Sequence, residues 1–77
     1  MKEFQIAIRS FPEVQEFISM ATVQPFQVLV GNGVQTVNAK SFIGMVSLDF
    51  SRPLKVLCDC DTEGLQSFRQ QALRFLA

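Results

Sequence analysis

The sequence predicts a two-layer α+β sandwich in which helices cover one face of an antiparallel sheet. Two observations support this fold class. Four segments place apolar residues at alternate positions, as half-buried strands do, and three segments repeat them at helical spacing. The order is strand, helix, two strands, helix, strand, helix. Because 77 residues suffice for only one hydrophobic core, we expect a single domain over residues 1–77.

The first strand and the first helix are predicted within residues 4–21. Apolar residues occupy every second position from Phe4 to Ile8, which places them on one face of a strand. The next residues, Ser10-Phe11-Pro12-Glu13, have the form of a capping box. In such a box the Ser10 hydroxyl accepts from the Glu13 amide, and the Glu13 carboxylate accepts from the Ser10 amide. We predict a helix over residues 11–21.

A β-hairpin is predicted after this helix. Phe26, Val28 and Val30 occupy alternate positions and indicate a second strand. Gly31-Asn32-Gly33 tolerates positive φ, so we expect the chain to reverse there and to continue as a third strand over residues 34–38.

A short second helix and a fourth strand are expected next. Phe42, Met45 and Val46 share a helical face, although Gly44 lowers helix propensity. The fourth strand is indicated by apolar residues at every second position from Leu54 to Cys60. Leu57 breaks this alternation, and we expect it to face a partner or the edge of a helix.

The C-terminal segment predicts a third helix. Asp61 and Thr62 are suitable capping residues, and apolar residues then recur at helical spacing from Leu65 to Leu76. We therefore expect this helix to extend to the end of the chain.

The charge balance narrows the classes of partner. Seven basic and seven acidic residues give a formal net charge of zero, so we expect neither nucleic acid nor a membrane surface as partner. Near neutrality together with eight phenylalanines favours contact with a protein partner or self-association into a homo-oligomer. No segment has the pattern of a signal peptide, and two cysteines suit a reducing cytoplasm better than a secreted domain.

Residues suited to catalysis or metal binding are scarce. The chain has no histidine, and Cys58 and Cys60 are the only thiols. Two cysteines on one strand face do not complete a metal site, so we predict core thiols, no metal and no cofactor. An enzyme would require a reactive group such as a Cys60 thiolate near arginines, and we predict that the protein is not an enzyme.

The middle of the sequence resembles HPr, the phosphocarrier of the bacterial sugar phosphotransferase system. The resemblance is carried by Asn32-Gly33 and by residues 36–48, Thr-Val-Asn-Ala-Lys-Ser-Phe-Ile-Gly-Met-Val-Ser-Leu. It implies an open-faced sandwich of four strands in the order 1-4-2-3 with three helices. It extends more weakly to the C-terminal helix.

The segment that corresponds to the phosphate-carrying loop of HPr lacks the histidine of that family. The family carries phosphate on a histidine in a Gly-X-His-X-Arg-Pro motif, where the helix amides and the arginine stabilise the phosphoryl group. The corresponding segment here is Ile8-Arg9-Ser10-Phe11-Pro12, in which Pro12 is retained, Phe11 occupies the place of the arginine and the loop is shortened. We interpret Arg9–Pro12 as a degenerate phosphocarrier loop and Ser10 as a helix cap.

Around the second helix the resemblance implies regulatory and docking residues. Ser41 aligns with the serine that a dedicated kinase phosphorylates in HPr of Gram-positive bacteria, and it also suits a plain N-cap. Ile43, Val46 and Ser47 lie where HPr docks its partners, although a scattered surface aliphatic is the alternative for Ile43. Phe42 and Met45 are expected to face the core.

The expected function is therefore that of a non-catalytic, HPr-like binding or regulatory module. Its partners would be proteins of the phosphotransferase system or regulatory proteins. The alternative is a regulatory phosphoacceptor that an HPr-kinase-type enzyme modifies on Ser41.

Overall fold

Four strands form one antiparallel sheet in the order β1-β4-β2-β3 in the computed structural model, which describes all residues 1–77. The strands are β1 (Lys2–Ile6), β2 (Val28–Gly31), β3 (Thr36–Asn38) and β4 (Leu54–Cys58). The helices are α1 (Phe11–Thr22), α2 (Phe42–Ser47) and α3 (Thr62–Gln71), and a 3₁₀ turn covers Leu73–Phe75. The predicted fold class and strand order are confirmed. None of the helices has the length and hydrophobicity that a membrane span requires.

One face of the sheet supplies the core. In register across the sheet, Phe4 pairs with Val56, Val56 with Val30, and Val30 with Val37. Phe4, Val56 and Val30 are buried, while residues at the intervening strand positions are exposed or half-buried, with the exception of Gly31 at the end of β2. The helices contribute the large rings of the core, in which Phe68 of α3 packs against Phe4 at 5.6 Å between ring centroids.

The first helix begins as predicted, with one change in its capping. The Ser10 hydroxyl accepts from the Glu13 amide at 3.4 Å. The Glu13 carboxylate, however, accepts from the Arg9 amide at 2.9 Å rather than from the Ser10 amide. Ser10 has the extended backbone usual for an N-cap, with φ −156° and ψ 162°.

The hairpin is shorter than predicted. Strand β2 begins at Val28 rather than Phe26, and β3 begins at Thr36 rather than Val34, which is 96% exposed. The turn between them is wider because the Asn32 side chain replaces ladder hydrogen bonds: its Oδ1 accepts from the amides of Val34 and Gln35.

Strand β4 also ends earlier than predicted, at Cys58, so Cys60 lies beyond it. The backbone turns there because Asp61 caps α3, with its carboxylate accepting from the Gly64 amide at 2.7 Å. Leu57 lies on the uncovered face of the sheet and pairs in register with Leu29 of β2, and both are half-buried.

The C-terminal helix does not continue to the end of the chain as predicted. It ends at Gln71, and after the 3₁₀ turn Leu76 forms a β-bridge with Ile6. Two backbone hydrogen bonds flank this bridge, from the Ala7 amide to the Phe75 carbonyl at 2.7 Å and from the Ala77 amide to the Gln5 carbonyl at 3.1 Å. The segment thereby pairs the outer edge of β1, which a continuing helix would leave open.

Candidate functional site

The first turns of α1 and α2 meet through two phenylalanine rings. Phe11 is the first residue of α1 and Phe42 the first residue of α2, and their ring centroids are 6.3 Å apart with an interplanar angle of 90°. Both side chains remain 47% exposed. The sequence neighbour of Phe42, Ile43, is 73% exposed. We call Phe11, Phe42 and Ile43 the apolar surface.

The exposure of Phe42 corrects a prediction, since its spacing with Met45 assigned it to the core. Met45 is indeed buried, and so is Leu48, the residue that follows α2. With only six residues, α2 needs these two side chains to anchor it. Phe42 is at the end of the helix where the chain arrives from β3, and its ring packs on Phe11 of α1 instead of entering the core.

The three residues predicted to dock a partner differ in their exposure. Ile43 and Ser47 are exposed, whereas Val46 is half-buried and packs against the core. The Ser47 hydroxyl donates to the Gly44 carbonyl at 2.8 Å, which ties it to its own helix. Ile43 is therefore the docking candidate with the largest free apolar area.

Ser41 is the N-cap of α2. Its hydroxyl oxygen accepts from the Gly44 amide at 3.2 Å, and its own amide donates to the Asn38 carbonyl at 3.0 Å. The side chain is half-buried at the border of the apolar surface. The amino group of Lys40 does not serve Ser41, because it donates to the Gln24 carbonyl at 2.8 Å, near the end of α1.

The close packing of α2 explains why position 44 is a glycine, although glycine lowers helix propensity. A Cβ atom at this position would lie 3.3 Å from Cβ of Val37 and 3.5 Å from the hydroxyl oxygen of Ser41. Its absence lets α2 approach strand β3 closely and keeps room for the capping serine.

The segment predicted to be a degenerate phosphocarrier loop connects β1 to α1 and reaches the apolar surface only through Phe11. Arg9 and Pro12 are exposed, and Ser10 is occupied as the cap of α1. No carboxylate hydrogen-bonds to the Ser10 hydroxyl; the Glu13 carboxylate accepts instead from the Arg9 amide. The geometry therefore offers capping and surface contact rather than a nucleophile with its base.

Both cysteine thiols have raised pKa values. Burial, with the neighbouring Cys60 thiol as a smaller cause, raises the pKa of Cys58 to about 12. Burial and the charge of Asp61 raise the pKa of the half-buried Cys60. Neither thiol has the lowered pKa of a reactive nucleophile. No group of three or more His, Cys, Asp or Glu side chains is placed to hold a metal ion.

Sequence reasoning did not foresee the contact between Phe11 and Phe42. The signal that existed was a large ring at the first position of each predicted helix, where side chains often remain partly exposed. The distance between those two helix starts depends on the whole sheet, because α1 follows β1 at one edge while α2 follows β3 at the other.

Comparison with known proteins identifies a structural relative. No protein-family model and no curated protein sequence matches this chain. Among solved structures, the crystal structure of HPr-C-His from Thermoanaerobacter tengcongensis matches with a TM-score of 0.73 and 26% sequence identity. The match covers 91% of this chain and 89% of that chain. The similarity therefore extends through both sheet and helices.

Proposed function

We propose that this chain, which resembles an HPr structure over 91% of its length, is an HPr-like binding or regulatory module that does not carry phosphate on histidine. Its partners are proteins, of the phosphotransferase system or of its regulation, and its place of action is the cytoplasm. The observation that carries the proposal is the exposed edge-to-face pair of Phe11 and Phe42 beside Ile43.

The loss of histidine chemistry is supported by the sequence and by the environment of the loop. The chain contains no histidine, so no imidazole is available to form a labile phosphoramidate. Phe11 stands where the family motif has an arginine, and a half-exposed ring offers a phosphoryl group neither charge nor hydrogen bonds.

A docking role is supported by the composition of the apolar surface. The rings of Phe11 and Phe42 pair at the exposed starts of two helices, exposed Ile43 follows Phe42 in sequence, and α2 itself carries no charged residue. Burying them against a partner would release water from apolar area, which stabilises a complex by roughly 25 cal/mol per Å². A small apolar surface of this kind suits a transient complex better than a permanent one.

The absence of phosphate transfer is tested with phosphoenolpyruvate and the first enzyme of the phosphotransferase system. We expect no acid-labile phosphate on this chain after incubation, while an authentic HPr in a parallel reaction becomes labelled. An acid-labile phosphoprotein would refute this part of the proposal.

The docking role is tested by titrating the isotope-labelled chain with the same enzyme, and separately with a regulator that binds HPr. We expect resonance changes concentrated at Phe11, Phe42 and Ile43, and a loss of binding of roughly tenfold or more in Ile43→Ser. Val23→Ser is the matched control, because Val23 is also 73% exposed but lies at the other end of α1. Equal effects of the two variants, or no binding to either protein, would contradict the docking role.

A second candidate function is that of a phosphoacceptor on Ser41. It is favoured by the position of this hydroxyl, which is partly accessible, caps α2 and adjoins Phe42 of the apolar surface. A phosphate on Ser41 would place roughly two negative charges next to the apolar surface. These charges would change which partner binds the apolar surface.

This candidate is tested by mass spectrometry after incubation with HPr kinase and ATP. We expect one added phosphate, located by fragmentation at Ser41 and absent from Ser41→Ala. Ser10→Ala serves as control, because Ser10 caps α1 in the same manner. Phosphate on any other residue, or none at all, would rule out the regulatory role of Ser41.

A further inference from the structure

Three loops meet at one end of the sheet and form an open groove between them. It consists of two adjoining depressions of about 440 Å³ and about 310 Å³, which have Asp49 and Ser51 in common. The larger lies between the β1–α1 loop and the α2–β4 loop, and the smaller lies between the hairpin turn and the α2–β4 loop. No residue of the apolar surface lines either depression, so the groove is a separate feature.

The larger depression has an apolar floor. Ile8 and Leu48 line it, belong to the hydrophobic core and are only 5% and 3% exposed. Phe50 is half-buried beside them. An apolar side chain of a ligand would find contact at this position rather than water.

Two arginines flank the groove, and neither is engaged in an ion pair. Arg9 lines the larger depression and Arg52 the smaller one. The ion pairs of the protein lie elsewhere, between Lys55 and Glu3 and between Arg74 and Glu16. Arg9 contacts Glu13 only through its backbone amide. Both guanidinium groups are therefore free to donate to carboxylates.

The single acid of the groove is held by its own loop. The Asp49 carboxylate accepts from the Ser51 amide at 3.0 Å. Hydrogen bonds from Ser51 lower the pKa of Asp49, with the charge of Arg52 a smaller contribution. With two arginines against one aspartate, the groove has an excess of one positive charge.

We infer that this groove binds an extended acidic peptide segment of a protein partner. One apolar side chain of the peptide packs on Phe50 next to Ile8 and Leu48, and carboxylates on either side of it pair with Arg9 and Arg52. Charge complementarity selects the acidic peptide, and the spread of the two arginines over adjoining depressions requires more than one carboxylate. The inference rests on the proposed function only in assuming a protein partner, since the apolar surface takes no part.

The inference is tested with a synthetic peptide of five residues in which glutamate and leucine alternate, both ends being blocked. We expect saturable shifts of the Ile8 and Leu48 methyl resonances that weaken as salt is added. The double variant Arg9→Gln/Arg52→Gln should bind roughly 3- to 10-fold more weakly, as the loss of two exposed ion pairs implies. Arg69→Gln, which removes an exposed arginine of α3 outside the groove, should bind as the parent does.

Three outcomes would overturn the inference. Equal binding of the corresponding glutamine–leucine peptide would show that charge plays no part. Equal shifts with inorganic phosphate at the same concentration would show a simple anion site. Shifts confined to Phe42 and Ile43 would assign the peptide to the apolar surface. Because Ile43→Ser leaves the groove intact, it should bind the peptide unchanged, which separates this test from that of the docking role.

Discussion

Two pairs of phenylalanine rings in this protein have nearly the same geometry and opposite surroundings. Phe17 and Phe75 meet with centroids 6.2 Å apart at 88°, and they are 0% and 1% exposed. Phe11 and Phe42 meet at 6.3 Å and 90°, and each is 47% exposed. Ring geometry is thus the same in the core and at the apolar surface. The difference lies in what covers the rings, and it separates residues needed for folding from residues available to a partner.

The largest expected effect concerns the core. Phe68 contacts the rings of Phe4, Phe17 and Phe26, so Phe68→Ala should lower the free energy of unfolding by about 3–5 kcal/mol. Phe42→Ala should cost about 1–2 kcal/mol, because half of its ring is exposed to water in the folded protein. Urea denaturation measures both values.

A small domain has little stability to lose, so Phe68→Ala would unfold under many conditions. Phe68→Leu keeps most of the apolar volume and provides a folded variant for the same comparison. If Phe42→Ala were as destabilising as Phe68→Ala, the distinction between core and surface rings would be wrong.

The two thiols allow a buried and a more accessible side chain to be compared through the pH dependence of stability. Because burial raises the pKa of Cys58 to about 12, folding opposes ionisation of this thiol. The stability that the protonated Cys58 thiol contributes to the folded protein is therefore fully present below about pH 9 and is lost as the pH rises towards 12. Urea denaturation at pH 8 to 11 should show this decline in the free energy of unfolding. Tyrosine ionisation does not contribute to it, because the chain has no tyrosine.

Cys58→Ala should have a flatter stability profile across this range, while Cys60→Ala should retain most of the decline. With a thiol reagent at neutral pH, Cys60 should react first, since Cys58 is fully buried. Faster labelling of Cys58 would mean that the end of β4 opens readily.

The two serine caps allow a comparison of the helices that meet at the apolar surface. Ser41→Ala should lower the free energy of unfolding by about 1 kcal/mol, because its hydroxyl accepts from the Gly44 amide at 3.2 Å. Ser10→Ala should cost about half as much, since its hydrogen bond is longer, at 3.4 Å, and Glu13 still holds the Arg9 amide. Thermal and urea unfolding of the two variants measure this difference, and a reversed order would indicate that α2 contributes little to stability.

The smallest effect is the coupling between the exposed rings. A double-mutant cycle on Phe11 and Phe42 should give about 0.5 kcal/mol, at the low end for aromatic pairs. The cycle on Phe17 and Phe75 should give about 1–1.5 kcal/mol, since no water competes for those ring faces. Equal coupling energies would mean that water access does not distinguish the pairs.

Much of the fold follows from local sequence. The period-two segments became strands, and Ser10 and Asp61 start helices where they were predicted to. The errors lie at element ends: the late starts of β2 and β3, the early end of β4, and the C-terminal helix. In each case a contact made elsewhere in the chain, such as the bridge of Leu76 to Ile6, sets the boundary.

The candidate site was less predictable than the fold. Ile43 and Ser41 were identified through their resemblance to HPr, and both lie at the surface region that α2 forms. The assignment of Phe42 to the core was wrong because helical spacing describes a face of a helix but not what lies opposite that face. The groove residues Asp49 and Arg52 carried no sequence signal, since three separate loops assemble them.

The fold class, the order of the elements and the absence of any imidazole can thus be inferred from the amino-acid sequence, because they depend on composition and on periodicities of a few residues. Which phenylalanines are buried cannot be inferred in the same way. Burial depends on the packing of elements distant in sequence, and the sheet brings α1 and α2 together so that Phe17 lies inside the protein while Phe11 and Phe42 pair at its surface.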